Sequence, residues 1–241
     1  MMPKTPSHNI EMLGVVARGL KGLKEKVVFV GGATVDLFIT DPAAPGTRTT
    51  IDVDCVVELA RRAEFYALEE ELRTLGFKHP TEENPPLCRW MFCGIKVDVM
   101  PTEGSVLGFS NRWYRDGVAK AEQMSLPNGE RVYVFSAPYL LASKLEAFRD
   151  RGHEDFQASK DLEDVIALLD GHPEVEEKLS AAPVDVRQYL GKEFALMLAD
   201  KRFLLGLEGH LSAGSSIVQG ERRLNKCLAL MRRIAEPAAA A

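Results

Sequence analysis

The spacing of apolar positions changes character near residue 136. Residues 8–25 carry Ile10, Leu13, Val16, Leu20 and Leu23 at three-to-four spacing, which predicts a helix with Ser7 as its N-cap. Val27–Val30 is a β-branched run ended by Gly31-Gly32, so a short strand is expected, followed by a short helix from Ala33 to Phe38. Pro42, Pro45 and Gly46 mark residues 41–47 as a loop. Residues 50–58 read as a strand, and Arg61 to Leu75 as a helix stopped by Gly76. Residues 88–93 and 95–100 predict two strands joined tightly at Gly94, and 131–135 predicts another. From Pro138 onward the period is helical, over 138–149, 158–169, 184–199 and 214–235. The class is therefore α+β, a mixed sheet with flanking helices followed by a helical C-terminal domain, with domains at 1–136 and 137–241. The tail Pro237–Ala241 reads as frayed.

Strand periodicity turns these elements into chemistry. Successive side chains on a strand alternate faces. Ile51, Val53 and Cys55 then share one face, and Asp52 and Asp54 share the other, roughly 6.5–7 Å apart at Cα. The same rule sets Lys96 and Asp98 opposite Ile95, Val97 and Val99. If the two strands are neighbours, three carboxylates meet on one face, where they repel unless a cation sits among them. A hard, all-oxygen donor set suits Mg²⁺ or Mn²⁺. A lone Asp-x-Asp is common on solvated sheet faces. Here a diglycine turn precedes it, where the absence of side chains lets backbone N–H groups approach a phosphate.

Composition narrows the class. Of 241 residues, 46% are hydrophobic and 27% charged, as in an ordinary globular protein. No run approaches eighteen apolar residues, and the N-terminal segment lacks the apolar core of a signal peptide, so neither a membrane span nor secretion is expected. Cys55, Cys88, Cys93 and Cys227 show no CxxC spacing, which argues against a zinc site or a disulfide framework and fits a reducing cytoplasm. The net charge of -5 argues against a simple nucleic-acid coat. It is uneven, however: residues 180–241 hold 9 Lys+Arg and 6 Asp+Glu, a balance of +3. Arg222, Arg223, Lys226, Arg232 and Arg233 cluster there, with Arg222, Lys226 and Arg233 near one helical face, where a polyanion could dock.

Gly31-Gly32, Asp52-Val53-Asp54 and Asp98 together resemble the core signature of the DNA polymerase β-type nucleotidyltransferase superfamily. More narrowly, Val30-Gly31-Gly32-Ala33 followed by Arg48-Thr49-Thr50-Ile51-Asp52-Val53-Asp54 resembles the AbiEii/AbiGii toxin-like nucleotidyltransferases. Two further segments fit that family's pattern. They are Lys144-Leu145-Glu146-Ala147-Phe148-Arg149-Asp150-Arg151 and Lys160-Asp161-Leu162-Glu163-Asp164. The resemblance runs from about residue 10 to 170 and implies a polymerase β-like mixed sheet. It also implies a metal-dependent transfer of a nucleotidyl group from an NTP to an acceptor.

On that resemblance, Asp52 and Asp54 hold the nucleotide-side metal, and Asp98 completes the second site and orients or deprotonates the acceptor. Gly31, Gly32 and Thr34 cradle the β/γ-phosphates, and Arg48 touches phosphate or neutralises Asp52 or Asp54. Lys144 meets the triphosphate, and Asp161 joins the catalytic set. The implied setting is the toxin of a toxin–antitoxin pair, acting on tRNA or another macromolecule and held by a cognate antitoxin. Two alternatives stand beside it: a nucleotidyltransferase acting on a small hydroxylated molecule such as an antibiotic, and a binding module that holds nucleotide without turnover.

Other residues carry weaker signals. By spacing alone, Lys144 is a surface lysine with a snorkelling stem, and Arg149 and Arg151 are placed to pair with Asp161 and Asp164. Trp90, Trp113 and Tyr114 could stack a base, although Trp90 on a strand is more often core. Phe109–Arg115 reads as a loop in which aromatic and basic residues could contact a base or acceptor. His79, His153, His172 and His210 lack metal-ligand spacing, and His8 falls in an end expected to be mobile.

Overall fold

The computed structural model describes residues 6–42, 44–151, 155–212 and 216–236. The frayed-tail expectation for Pro237–Ala241 and the reading of His153 fall outside those residues. The chain divides into two compact units, one of residues up to Leu37 together with Arg48–Ser136, the other of Phe38–Thr47 together with Ala137 onward.

The first unit is built on a six-stranded mixed sheet. In chain order its elements are α1 (His8–Leu20), β1 (Val27–Val30), α2 (Gly32–Val35), β2 (Asp52–Val57), α3 (Arg62–Thr74), β3 (Arg89–Phe92), β4 (Ile95–Pro101), α4 (Gly104–Leu107), α5 (Tyr114–Ala119), β5 (Glu122–Ser125) and β6 (Arg131–Val134). The strand order is β3-β4-β2-β1-β6-β5. β1 runs antiparallel to β2 and parallel to β6, while β2 and β4 are parallel, with α3 in their crossover. All four residues of β1 are buried, as a strand near the centre of a covered sheet requires. Ser7 caps α1 by accepting from the Ile10 N–H, and Leu13, Val16, Ala17 and Leu20 bury its apolar stripe. Beyond Leu20 the predicted helix tightens into a 3₁₀ segment over Lys21–Lys26. His8 opens α1 and is not part of a loose end. β3 and β4 form a hairpin through Cys93 and Gly94, both at positive φ (49° and 80°), the signature of a tight primed turn.

The sequence pattern missed β5, whose residues Glu-Gln-Met-Ser lack apolar alternation. An edge strand has no second neighbour to bury it, so its composition carries little signal. Ile51 also departs from expectation. It lies just before β2 and is exposed, while Val53 and Cys55 are buried as read.

The second unit is helical: α6 (Ala137–Arg151), α7 (Lys160–Gly171), α8 (Val175–Ser180), α9 (Val184–Ala199), α10 (Lys201–Ser212) and α11 (Ile217–Ala235). α6 is buried from Ala137 to Leu145 and packs against α7, α8 and α9. The segment 38–47 belongs with this unit and not with the sheet, which moves the expected boundary. The N–H groups of Thr40 and Asp41 both donate to the Gly171 carbonyl at the end of α7, at 3.2 Å. Gly171 has no Cβ there; one would come within 2.8 Å of Ile39. Among the described residues no helix is long and apolar enough to cross a membrane.

Candidate active site

The register of β2 and β4 assembles the acidic face. Asp54 lies directly opposite Asp98, and Asp52 opposite Lys96. One carboxylate oxygen from each of Asp52, Asp54 and Asp98 lies within 4.8 Å of the others, the one such cluster among the described residues. Lys96, on the same strand face, turns away to Glu82 at 2.8 Å and leaves the triad its charge.

Neighbouring residues fix each carboxylate differently. Thr50 donates its hydroxyl to Asp52 Oδ1 at 2.6 Å. Thr50 is itself positioned by the buried Asn9 of α1, whose Oδ1 accepts from the Thr50 N–H at 3.0 Å and whose Nδ2 donates to the Arg48 carbonyl at 2.9 Å. Helix α1 thus holds the entry to β2 at both ends of one amide side chain. Arg48 is anchored in this turn through its main chain. Asp54 leans over Gly31. A Cβ at Gly31 would lie 1.9 Å from Asp54 Oδ2, and its φ of 77° is a conformation L side chains rarely adopt. Gly31 is therefore demanded twice, by the turn and by the carboxylate above it. Gly32 begins α2, which is a single turn and a correspondingly small dipole.

Thr34 takes a different place from the one expected of it. It is fully buried, and its hydroxyl donates to the Gly31 carbonyl at 2.9 Å. It braces the diglycine turn from inside and does not offer its proton to a phosphate.

Asp98 is the most buried of the three carboxylates and has a partner the sequence reading overlooked. Arg89 donates from Nε to Asp98 Oδ1 at 2.8 Å and from Nη2 to Oδ2 at 2.6 Å, a two-pronged pair. These hydrogen bonds keep the guanidinium firmly protonated, and Asp52 is close enough to add to the effect. The hairpin arithmetic held the signal: a two-residue turn at 93–94 pairs Phe92 with Ile95 and, counting outward, Arg89 with Asp98. Cys88 and Cys55 flank the same charges. Burial, then Asp98, pushes the Cys88 thiol up to about 12; burial, then Asp54 and Asp98, pushes Cys55 well up. Both remain protonated thiols, so the available donors are carboxylate oxygens. Three such oxygens at this spacing crowd like charge onto one sheet face. That donor set fits a hard divalent cation.

The second unit holds the other predicted residues. Lys144 is buried in α6, not on the surface, and its Nζ reaches Asp161 Oδ1 at 3.1 Å and Asp164 Oδ2 at 2.7 Å on α7. Arg151 closes the group with two hydrogen bonds to Asp161, at 2.9 and 3.1 Å. Burial opposes ionisation of Asp161, but the Arg151 hydrogen bonds and the Lys144 charge outweigh it and hold the carboxyl below its usual range. Arg149 pairs with Glu193 at 2.7 Å, outside this group.

The remaining candidates resolve into packing. Trp90 and Trp113 are buried, Trp90 against the His79 ring at 4.0 Å, and Tyr114 bonds the Met100 sulfur at 3.4 Å. Arg112 lies over Trp113, and α5 begins at Tyr114, so Phe109–Arg115 is not one continuous loop. His172 packs edge-on against Phe38, and His210 Nε2 lies 3.0 Å from the Phe156 carbonyl. In the basic cluster, Arg223 bonds Asp170 at 2.6 Å, Lys226 reaches the Asp170 carbonyl at 2.6 Å, and Arg233 bonds Glu176 at 2.6 Å. Arg222 and Arg232 are exposed.

No protein-family model and no curated protein matches the chain. Solved structures do. The fold is similar to that of JHP933 from Helicobacter pylori, with a TM-score of 0.50 and 13% identity over 97% of this chain and 94% of that one. It is equally similar to a candidate nucleotidyltransferase from H. pylori, with a TM-score of 0.50 and 13% identity over 96% of each chain. The chain therefore has a nucleotidyltransferase-like α+β fold.

Proposed function

We propose that this protein is a metal-dependent nucleotidyltransferase that moves an NMP from an NTP to an acceptor hydroxyl. The observation that carries this reading is the convergence of Asp52, Asp54 and Asp98 on one sheet face beside the Gly31 turn. Mg²⁺ or Mn²⁺ bound there supplies charge neutralisation of attacking and leaving oxygens in an in-line displacement at the α-phosphorus. The chain's own residues do the rest. Asp52, braced by Thr50, and Asp54, over Gly31, present fixed oxygens for the cation, and Asp98 orients the acceptor hydroxyl or accepts its proton. Gly31 and Gly32 let phosphate approach the backbone. Lys144 and Asp161 join this reading as a triphosphate contact and its orienting partner, a role their mutual ion pair neither requires nor forbids.

Within this reading the acceptor is tRNA or another macromolecule, the setting is cytoplasmic, and a cognate antitoxin restrains the activity. A specific observation favours the smaller acceptor as the second reading. Arg223, Lys226 and Arg233 are engaged by Asp170 and Glu176, which thins the basic face a polyanion needs. The test is incorporation from labelled NTPs into total RNA, total protein and a panel of hydroxylated small molecules, with Mg²⁺ or Mn²⁺ and with chelator. Metal-dependent labelling that vanishes in Asp52→Asn supports the proposal, and the labelled class selects the acceptor. NTP binding without any labelling sinks it in favour of a non-catalytic module.

A further inference from the structure

The Arg89–Asp98 pair has a feature that an ordinary strand-to-strand ion pair lacks. Its carboxylate belongs to a cluster of three, with one oxygen of each within 4.8 Å of the others. Asp52 takes a hydroxyl from Thr50, and Asp54 lies over a glycine. Both Asp98 oxygens are taken up by Arg89, one by Nε and one by Nη2. The Asp98 side chain is 12% exposed and that of Arg89 20%, so water screens the pair poorly.

Removing one partner of a poorly solvated ion pair leaves a costly uncompensated charge. In the cation-free protein the counter-charge is Arg89. A divalent ion held by the triad would draw on the same carboxylate and the same local field. Arg89 and the ion are then like charges drawn to one carboxylate, and each weakens the other's hold. Resting on the nucleotidyltransferase reading, we propose that Arg89 is a positioning residue of the metal site: an internal counter-ion that holds Asp98 in place through both its oxygens and that lowers the triad's affinity for a divalent cation. The affinity is thereby set by the protein and not by the carboxylates alone. A guanidinium suits the task because it stays charged at all working pH and its fork holds both oxygens in the ligating orientation.

The sign of the effect separates this role from a purely structural one. If Arg89 only braced the hairpin, its loss would loosen the site and weaken cation binding. If it competes with the cation, its loss strengthens binding. The experiment measures Mn²⁺ affinity of the full chain without nucleotide, by paramagnetic resonance of free Mn²⁺, with Mn²⁺-induced thermal shift alongside. Arg89→Met keeps the apolar stem and removes the charge. Arg89→Gln keeps a donor for Asp98 without charge and serves if the methionine variant does not fold. Arg89→Lys restores the charge. Removing the positive charge that pairs with Asp98 strengthens Mn²⁺ binding by about tenfold or more. The expected result is that gain in Arg89→Met or Arg89→Gln, a larger Mn²⁺-induced rise in Tm than in wild type, and near-wild-type affinity in Arg89→Lys. Unchanged or weaker binding in the folded neutral variants, with a wild-type site that Asp52→Asn abolishes, overturns the Arg89 role and leaves the metal-site reading intact. Mn²⁺ binding that is absent or indifferent to Asp52→Asn overturns both.

Discussion

Two acidic clusters, one in each unit, have opposite electrostatic designs. In the helical unit, Asp161 and Asp164 face Lys144 and Arg151, two negative charges against two positive. In the sheet unit, Asp52, Asp54 and Asp98 bring one oxygen each within 4.8 Å of the others, and Arg89 pairs with Asp98. The first is a network of paired charges, buried apart from the exposed Arg151, and costly to break because a lost partner leaves a buried charge behind. The second crowds three like charges onto one sheet face. Carboxylates crowded at such spacing are a common mark of a site built for a charged ligand. Burial of acids is thus a poor guide to function by itself; the crowding of like charges is the better one.

The largest effect that would sharpen this contrast is on turnover. Asp54→Asn or Asp52→Asn should lower nucleotidyl transfer by about three orders of magnitude, since cation-mediated charge stabilisation is worth several kcal/mol. Stability should hold or rise, because a repulsion is relieved. Transfer assays and urea unfolding on the same samples check both halves. Near-wild-type turnover in either variant breaks the assignment.

Lys144→Met should show the reverse pattern, a loss of about 3–5 kcal/mol in unfolding free energy from removing the buried cation that Asp161 and Asp164 share. NTP affinity measured on folded protein then decides whether Lys144 also serves the triphosphate. Equal affinity in wild type and variant leaves it purely structural.

Gly31→Ala should be smaller, about 1–3 kcal/mol of strain, yet felt at the sheet site because the new methyl displaces Asp54. A Gly31→Ala protein with wild-type stability and Mn²⁺ affinity would remove the close approach from the argument.

The smallest effect is in pH. Folding lowers the Asp161 carboxyl below its unfolded value, about 3.9, so its contribution is present above that value and lost as pH falls through the folded value. Wild type and Asp161→Asn should differ in urea midpoint at pH 6 and converge below about pH 4. A gap that persists at low pH would show that the network does not depend on that ionisation.

Much of this arrangement was legible in the chain. Alternation along 51–55 and 95–99 puts the three aspartates on common strand faces, and the diglycine ends a β-branched run, because a strand's period of two is a local property. The helix 184–199 matches the observed α9, and the α+β class follows from the change of period near 136. Polar edge strand β5 and the short helices α4, α5 and α8 left too little apolar pattern to read.

Other features depend on partners distant in sequence, and only the tertiary structure decided them. That Asp54 lies opposite Asp98 follows from a parallel register that no local rule sets. That Lys144 is buried, that Arg149 turns to Glu193, and that Arg223 and Arg233 of α11 pair with acids are outcomes of helix packing. Segment 38–47 joins the helical unit through a carbonyl at the far end of α7. A chain specifies period, turn and charge locally. Which charges neutralise one another is decided only when packing brings them within a few ångströms, where the Coulomb interaction becomes large.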